Sequence, residues 1–111
     1  CMRMQTPYIL VLVTVGSPEE AREIARRLVE QRLAACVGLI PQSSIYRWQG
    51  KVTEDEEYLL TIKTTRSCFA ALREAVLSMH SYEVPEIISL DVSDGHKPYL
   101  DWIASSVGES S

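Results

Sequence analysis

The sequence predicts an α+β fold in which one antiparallel sheet carries two helices on one face, and three observations lead there. Tyr8 to Val15 is an unbroken run of apolar and β-branched residues, the composition of a buried strand. Two segments, beginning at Pro18 and near Phe69, space their apolar residues by three and four, the period of a helix packed on a sheet. Between and after them lie further stretches of strand composition, so the order is β-α-β-β-α-β with a short helix at the end. At 111 residues the chain is the size of one compact domain. No repeat or low-complexity segment divides it, so residues 1–111 are read as a single domain with an ordered core over about 8–107.

The first strand is apolar on both alternating faces, which makes it central in the sheet. Ser17-Pro18-Glu19-Glu20 then reads as N-cap, first helical position and capping-box acids. In the helix from Pro18, Ala21, Ile24, Ala25, Leu28, Val29 and Arg32 or Leu33 form the apolar stripe, while Glu20, Glu23, Arg27 and Glu30 face water. Ala34 to Trp48 reads as a long strand with a bulge or bend expected at Pro41, which has no N–H for the ladder. Gln49-Gly50 supplies the turn, and Lys51 to Thr64 returns with Tyr58, Leu60 and Ile62 on one face and Leu59, Thr61 and Lys63 on the other. Thr65 or Ser67 is expected to cap the second helix, whose stripe of Phe69, Leu72, Val76 and Met79 runs up to His80. Pro85 closes that region, Glu86 to Val92 is the last strand, and Asp94-Gly95 is a turn. Pro98 opens a helix with Tyr99, Leu100, Trp102, Ile103 and Val107, and Gly108 to Ser111 is expected to fray. This is the split βαβ, or ferredoxin-like, arrangement.

Two geometric consequences follow. Strands of about 13 residues at roughly 3.3 Å each reach about 43 Å, whereas a compact chain of this length spans only some 34 Å, so the hairpin tip projects beyond its own domain. The second concerns cover: two helices shield one side of the sheet, yet the first strand is apolar on both sides. Another copy of the chain is the economical cover, which predicts a homo-oligomer.

The charge balance excludes several functions. Fifteen acidic residues against eleven basic ones give a net charge of -4, and the basic residues are scattered, which disfavours nucleic acid as a partner. The Tyr8–Val15 run is far shorter than the roughly 20 residues of a membrane span. Arg3 ahead of that run lacks the cleavage site of a secretory signal, so the expected location is cytoplasmic. Three cysteines without C-x-x-C spacing fit a reducing compartment. Cys1, ahead of Met2 and Met4, reads as a trimmed or added end, with a lipid-modified cysteine as the alternative.

No nucleotide-binding, zinc-protease or hydrolase motif occurs, and the chain is read as non-enzymatic with no organic cofactor. Cys36 and Cys68 are either core residues or metal ligands. His80 is either a metal ligand or a cation at the negative end of a helix dipole. Cys36, Met79 and His80 together would make a soft N/S set suited to copper. The acid run Glu54-Asp55-Glu56-Glu57 is either a solvated edge or a cation site, with Glu57 nearest the core. Lys63 is either a counter-charge for Glu86 or an anion ligand, His96 is an exposed turn residue, and Tyr82 to Glu86 is either a rigid loop that holds Glu86 in a cleft or a plain turn.

Five stretches, taken in order, resemble the CutA family, named for divalent-cation tolerance. They are Leu33-Ala-Ala-Cys36 with Pro41, Ser44-Ile-Tyr46-Arg-Trp48-Gln-Gly50-Lys51, Lys63-Thr-Thr65, His80-Ser-Tyr82-Glu-Val-Pro85-Glu86-Ile87, and Tyr99-Leu-Asp-Trp102-Ile103. The resemblance implies a ferredoxin-like protomer in a tight homotrimer, similar in architecture to the PII signalling proteins. It also implies a link to copper or another divalent cation, with metal ligands at the positions of Cys36 and His80. Where some members carry His-His, this chain has Met79-His80. The implied intersubunit cleft brings together Glu57, Lys63, Tyr82, Glu86, Tyr99 and Trp102. The functions so implied are a metal-binding trimer in metal-ion tolerance, a PII-like receiver of a small anionic ligand, or a structural trimer that binds a protein partner.

Overall fold

The computed structural model describes residues 6–108; Cys1, Arg3 and the tail beyond Gly108 lie outside them. Four strands, β1 (Tyr8–Val15), β2 (Cys36–Trp48), β3 (Lys51–Thr65) and β4 (Ile87–Asp91), form one antiparallel sheet in the order β2-β3-β1-β4. Three helices join and close it: α1 (Pro18–Glu30) after β1, α2 (Phe69–Met79) after β3, and α3 (Lys97–Ser106) at the end. The α+β, ferredoxin-like class expected from the sequence is the class observed, with the extra C-terminal helix in place.

β1 is central, and its two faces differ. Ile9, Val11, Val13 and Val15 are enclosed together with Leu60 and Ile62 of β3, Ile24 and Leu28 of α1, and Leu72 and Val76 of α2. Each such side chain contributes about 1.5–3 kcal/mol by leaving water, so this layer holds the protomer together. The opposite face carries Leu10 between Lys63 and Leu90, and Leu12 between Thr61 and Ile88. Only one end of that face is covered, where Ile103 and Val107 pack with Ala35, Cys68, Tyr8 and Leu100. Ile40, Ile88 and Leu90 stay 46–50% exposed on it.

The hairpin projects as the strand lengths require. Of β3, β1 pairs only with Tyr58–Thr65, so the stretch from Gln42 to Glu57 has no strand partner outside the hairpin, and the longest extent of the molecule is 45 Å. Its turn needs left-handed backbone at two successive residues, Gln49 at φ 50° and Gly50 at φ 80°, the type I′ geometry that glycine favours.

Several local expectations are corrected. The β2–β3 ladder runs through Pro41, opposite Tyr58, with no bulge; β2 is an edge strand, where a missing N–H costs the sheet nothing. Neither Thr65 nor Ser67 caps α2: a 3-10 turn, Arg66–Cys68, intervenes, and the Thr65 hydroxyl bonds to Ser67 Oγ and Cys68 Sγ instead. Val29 lies off the buried stripe at 42% exposure, and Glu20 is not a water-facing residue. The Ser17 half of the capping box forms, Glu20 N–H donating to Ser17 Oγ at 3.2 Å. The Glu20 carboxylate instead accepts from the backbone N–H and the hydroxyl of Ser81, both at 2.9 Å.

Candidate functional site

The end of α2 and the loop after it build one wall of the site. Beyond the last β1–β4 pair the Thr14 carbonyl has no strand partner, and His80 takes it: Nε2–H donates to Thr14 O at 2.6 Å, while Nδ1 accepts from Tyr82 N–H at 3.0 Å. That pairing fixes the neutral Nε2–H tautomer, because a proton on Nδ1 would face the Tyr82 donor. The imidazole is wholly enclosed, with Glu20 Oε2 3.7 Å from Nδ1. Tyr82 is thereby held against His80, ring centroids 4.8 Å apart, and over Gly16, where a Cβ would meet the Tyr82 hydroxyl at 3.1 Å.

Between this wall and the hairpin, from Glu57 near its base to Trp48 beside its turn, lies a cavity of about 610 Å³. Ser44, Ile45, Tyr46 and Trp48 of β2, Glu57 of β3, Thr14 of β1, and Tyr82, Glu83, Val84 and Glu86 of the loop line it. Strand alternation puts Ser44, Tyr46 and Trp48 on the face they share with Glu57 and Asp55. Glu57 is nine-tenths buried, and its Oε2 accepts from Ser44 Oγ at 3.1 Å, a hydroxyl that itself accepts from Gln42 Nε2. Burial, then the charge of Glu57, hold the Glu86 carboxyl above its ordinary range. The Tyr82 phenol is pushed up by burial first and then by Glu57, Glu20 and Asp55. The Tyr46 phenol, which donates to Asp55, is pushed up to about 12, that hydrogen bond being the largest cause. Negative neighbours add to all three shifts after burial or hydrogen bonding, and among the described residues no Lys, Arg or His lines the cavity.

The remaining sequence candidates sit at the other end of the sheet. Cys36 is half-buried opposite Lys63, and Lys63 faces Leu10. Lys63 Nζ donates to Thr61 Oγ1 at 3.2 Å and, more weakly, to Thr61 O, and within one protomer it forms no ion pair with Glu86 among the described residues. Tyr99 has its phenol pushed up by burial and then by neighbouring Cys36, and it packs on Trp102 with centroids 5.5 Å apart. Thus the structure gathers Glu57, Tyr82 and Glu86, separately places Lys63, Tyr99 and Trp102 near Cys36, and does not join the two groups within one protomer. The level of Cys36 and that of His80 are separated by the four residues from Leu10 to Thr14, about 13 Å along β1 at roughly 3.3 Å per residue.

The metal reading meets the same separation. Among the described residues no three His, Cys, Asp or Glu side chains are placed to hold an ion. Both His80 nitrogens are already engaged, so Cys36 and His80 of one protomer do not fit a shared metal. Cys68 is buried in the small cluster under α3, and His96 is exposed, as expected for packing and turn residues. Sequence reasoning missed Ser44, Tyr46 and Trp48 as cavity residues; carrying the period of two through Pro41 without a bulge would have placed them on the face of Glu57.

A ferredoxin-like α+β protein with an acidic, aromatic-walled cavity along a projecting hairpin is the class these features define. The chain belongs to the CutA1 divalent ion tolerance protein family, whose model matches residues 9–106. It is 53% identical over 100 residues to the divalent-cation tolerance protein CutA of Thermus thermophilus, covering 89% of this chain and 97% of that one. It is 55% identical over 92 residues to the mouse protein CutA, covering 82% of this chain and only 52% of the mouse protein. A solved structure of the Thermus thermophilus divalent cation tolerance protein superposes with a TM-score of 0.89 at 52% identity, covering 91% of this chain and 99% of that one. CutA1 from Oryza sativa does so with 0.90 at 43% identity, covering 96% and 98%. The family is named for tolerance rather than for a reaction. Among the described residues no helix is long and apolar enough to cross a membrane.

Proposed function

We propose that the protein works in the cytoplasm as a non-enzymatic homotrimer that serves divalent-cation tolerance by binding a metal ion, copper first among them. The observation that carries the assembly is the uncovered apolar face of the sheet, with Ile40, Ile88 and Leu90 about half exposed. Cys36 lies on that same face, so a second copy packed there can add ligand atoms to a thiol that belongs to no cluster of three candidate ligands among the described residues of its own protomer. A thiolate favours soft Cu(I), and among divalent ions affinity rises toward Cu(II), which is the argument for copper. His80 joins such a site only by giving up its bond to Thr14 or to Tyr82.

Anaerobic copper titration of wild type, Cys36→Ser, His80→Ala and Cys68→Ser tests this. Cys36→Ser is expected to lose copper and Cys68→Ser to keep it; unchanged stoichiometry in Cys36→Ser removes Cys36 from the reading. His80→Ala is read beside a denaturation curve in chelator, because it also strips partners from two backbone groups at about 1–3 kcal/mol each.

The cavity supports a second reading, a trimeric receiver of a small ligand in the manner of the PII proteins. An anionic ligand in it requires Lys63, Tyr99 and Trp102 to arrive from a neighbouring copy, since the protomer's own lining is acidic.

A further inference from the structure

We infer that Arg32 is the positioning residue for the Cys36 end of the sheet: it clamps the last turn of α3, and through that helix it sets where Tyr99 and Trp102 stand beside Cys36. The inference rests on the reading of Cys36 as a metal-binding thiol on an assembled face and adds the residue that arranges its surroundings. Every contact it uses lies within one protomer, so it does not depend on that face being left open.

α1 ends on a residue that its turn does not favour. Arg32 has φ 60°, the left-handed backbone in which a side chain crowds its own main chain and glycine is the usual occupant. Arg32 N–H donates to Val29 O at 3.1 Å, and the N–H groups of Leu33 and Ala34 both return to Leu28 O. Glycine makes such a turn without strain, so the turn alone gives arginine no advantage. The guanidinium supplies one. Its Nε–H donates to Gly108 O at 2.9 Å and its Nη2–H to Ser105 O at 3.0 Å, 76 and 73 residues along the chain, and Gly108 N–H donates back to Arg32 O at 2.9 Å. The final carbonyls of a helix have no partners within it and carry the negative end of its dipole, so a cation with a rigid fork of donors suits them.

Little else fixes the angle of α3. The chain before it, Ser93 to His96, is exposed and in neither helix nor strand, and His96 gives the helix no side-chain cap. Of α3 itself Ile103 is buried, and with Val107 it joins Ala35 and Cys68 in a small cluster apart from the main core. Apolar contact is non-directional, whereas the two guanidinium bonds are directional and set the rotation of the helix on that cluster. α3 carries Tyr99 and Trp102, ring centroids 5.5 Å apart, and the Tyr99 phenol feels Cys36. Arg32 and Cys36 stand at the two ends of the short link from α1 to β2. The clamp therefore ties the helix that carries the rings to the segment that carries the thiol.

A plain helix cap would use the same bonds, and the two roles differ in reach: a cap holds the last turn alone, while a positioning residue also governs the rings and the thiol. The test uses the full chain and compares wild type with Arg32→Gly, which suits left-handed backbone and lacks the guanidinium, and with Arg32→Lys, which keeps the charge and loses the fork. The readouts are the indole N–H resonance of Trp102, amide hydrogen exchange, and anaerobic copper titration. In Arg32→Gly the Trp102 resonance is expected to shift, and the amides from Trp102 to Ser106 to exchange about tenfold faster or more, while those of Leu72 and Val76 in α2 keep their rates. Copper affinity is expected to fall several-fold, and Arg32→Lys to recover part of each change. Faster exchange in the last turn with the Trp102 resonance and copper affinity unmoved would make Arg32 a cap only and overturn the inference, as would an Arg32→Gly protein that matches wild type throughout. A wild type that binds no copper removes the metal reading beneath, and the Trp102 resonance then decides the clamp: a shift in Arg32→Gly that Arg32→Lys partly reverses supports it, and an unmoved resonance overturns it.

Discussion

Glu86 lies exposed in the loop before β4, yet burial of its carboxyl and the charge of Glu57 raise its proton affinity on folding. A carboxyl with a raised folded-state value adds stability that is fully present below its unfolded value, here 4.5, and lost as pH rises through the folded value. At neutral pH the charged form is therefore disfavoured in the folded protein. Glu86→Gln, which fixes the neutral state, is expected to raise the melting temperature at pH 7 and to converge on wild type below pH 4.5, as thermal unfolding at a series of pH values would register. A variant less stable than wild type at pH 7 would mean that the Glu86 charge is welcomed by a partner. At this scale the sequence shows which residues carry chemistry but not what they touch. His80 is recognisable as the residue after a helix; its two bonds depend on where β4 stops and how the loop folds back, and no local pattern encodes either.

The start of α1 joins two jobs that the sequence presents as one. Ser17 caps the helix, while Glu20, expected to complete the box, reaches 61 residues along the chain to hold Ser81. The two substitutions should therefore separate. Ser17→Ala is expected to lower global stability by about 1 kcal/mol, as a lost cap does, with little effect on the cavity wall. Glu20→Ala is expected to leave the helix largely intact and to speed amide hydrogen exchange at Ser81 and Tyr82, a local opening that exchange measured residue by residue would resolve. Slow exchange at both amides in Glu20→Ala would show that His80 alone holds the loop. The elements themselves were legible because periodicity and punctuation agree: Pro18, Gly50 and Pro98 stand where helices and turns need them. The Pro41 bulge and the Thr65 or Ser67 cap were misread for a shared reason. A proline in a strand depends on which side of the strand has a partner, and a hydroxyl near a helix start depends on which donors surround it; both are properties of the assembled sheet.

Across the whole molecule the sheet has one finished face and one unfinished face, and this asymmetry was legible from β1 alone, since Ile9, Val11 and Val13 alternate with Leu10 and Leu12. Which of the two sets faces the helices was not legible, because a run apolar on both sides carries no phase. The structure assigns it: the odd-numbered set is fully enclosed by α1 and α2, and the even-numbered set meets Ile88 and Leu90 on the face that α3 covers only at one end. The two sets predict opposite outcomes for the same chemical change. Val11→Asp places an unpaired charge in the protomer core, costs several kcal/mol, and is expected to leave no folded protein at any concentration. Leu90→Asp, at a position 46% exposed, is expected to leave the protomer folded and to block only its association. Light scattering should then give about three times 12.5 kDa for wild type and a single chain's mass for Leu90→Asp. Unfolding should depend on protein concentration in wild type and lose that dependence in the variant. A single-chain mass for wild type at micromolar concentration would refute the trimer, and a Leu90→Asp protein that still associates fully would move the interface off this face.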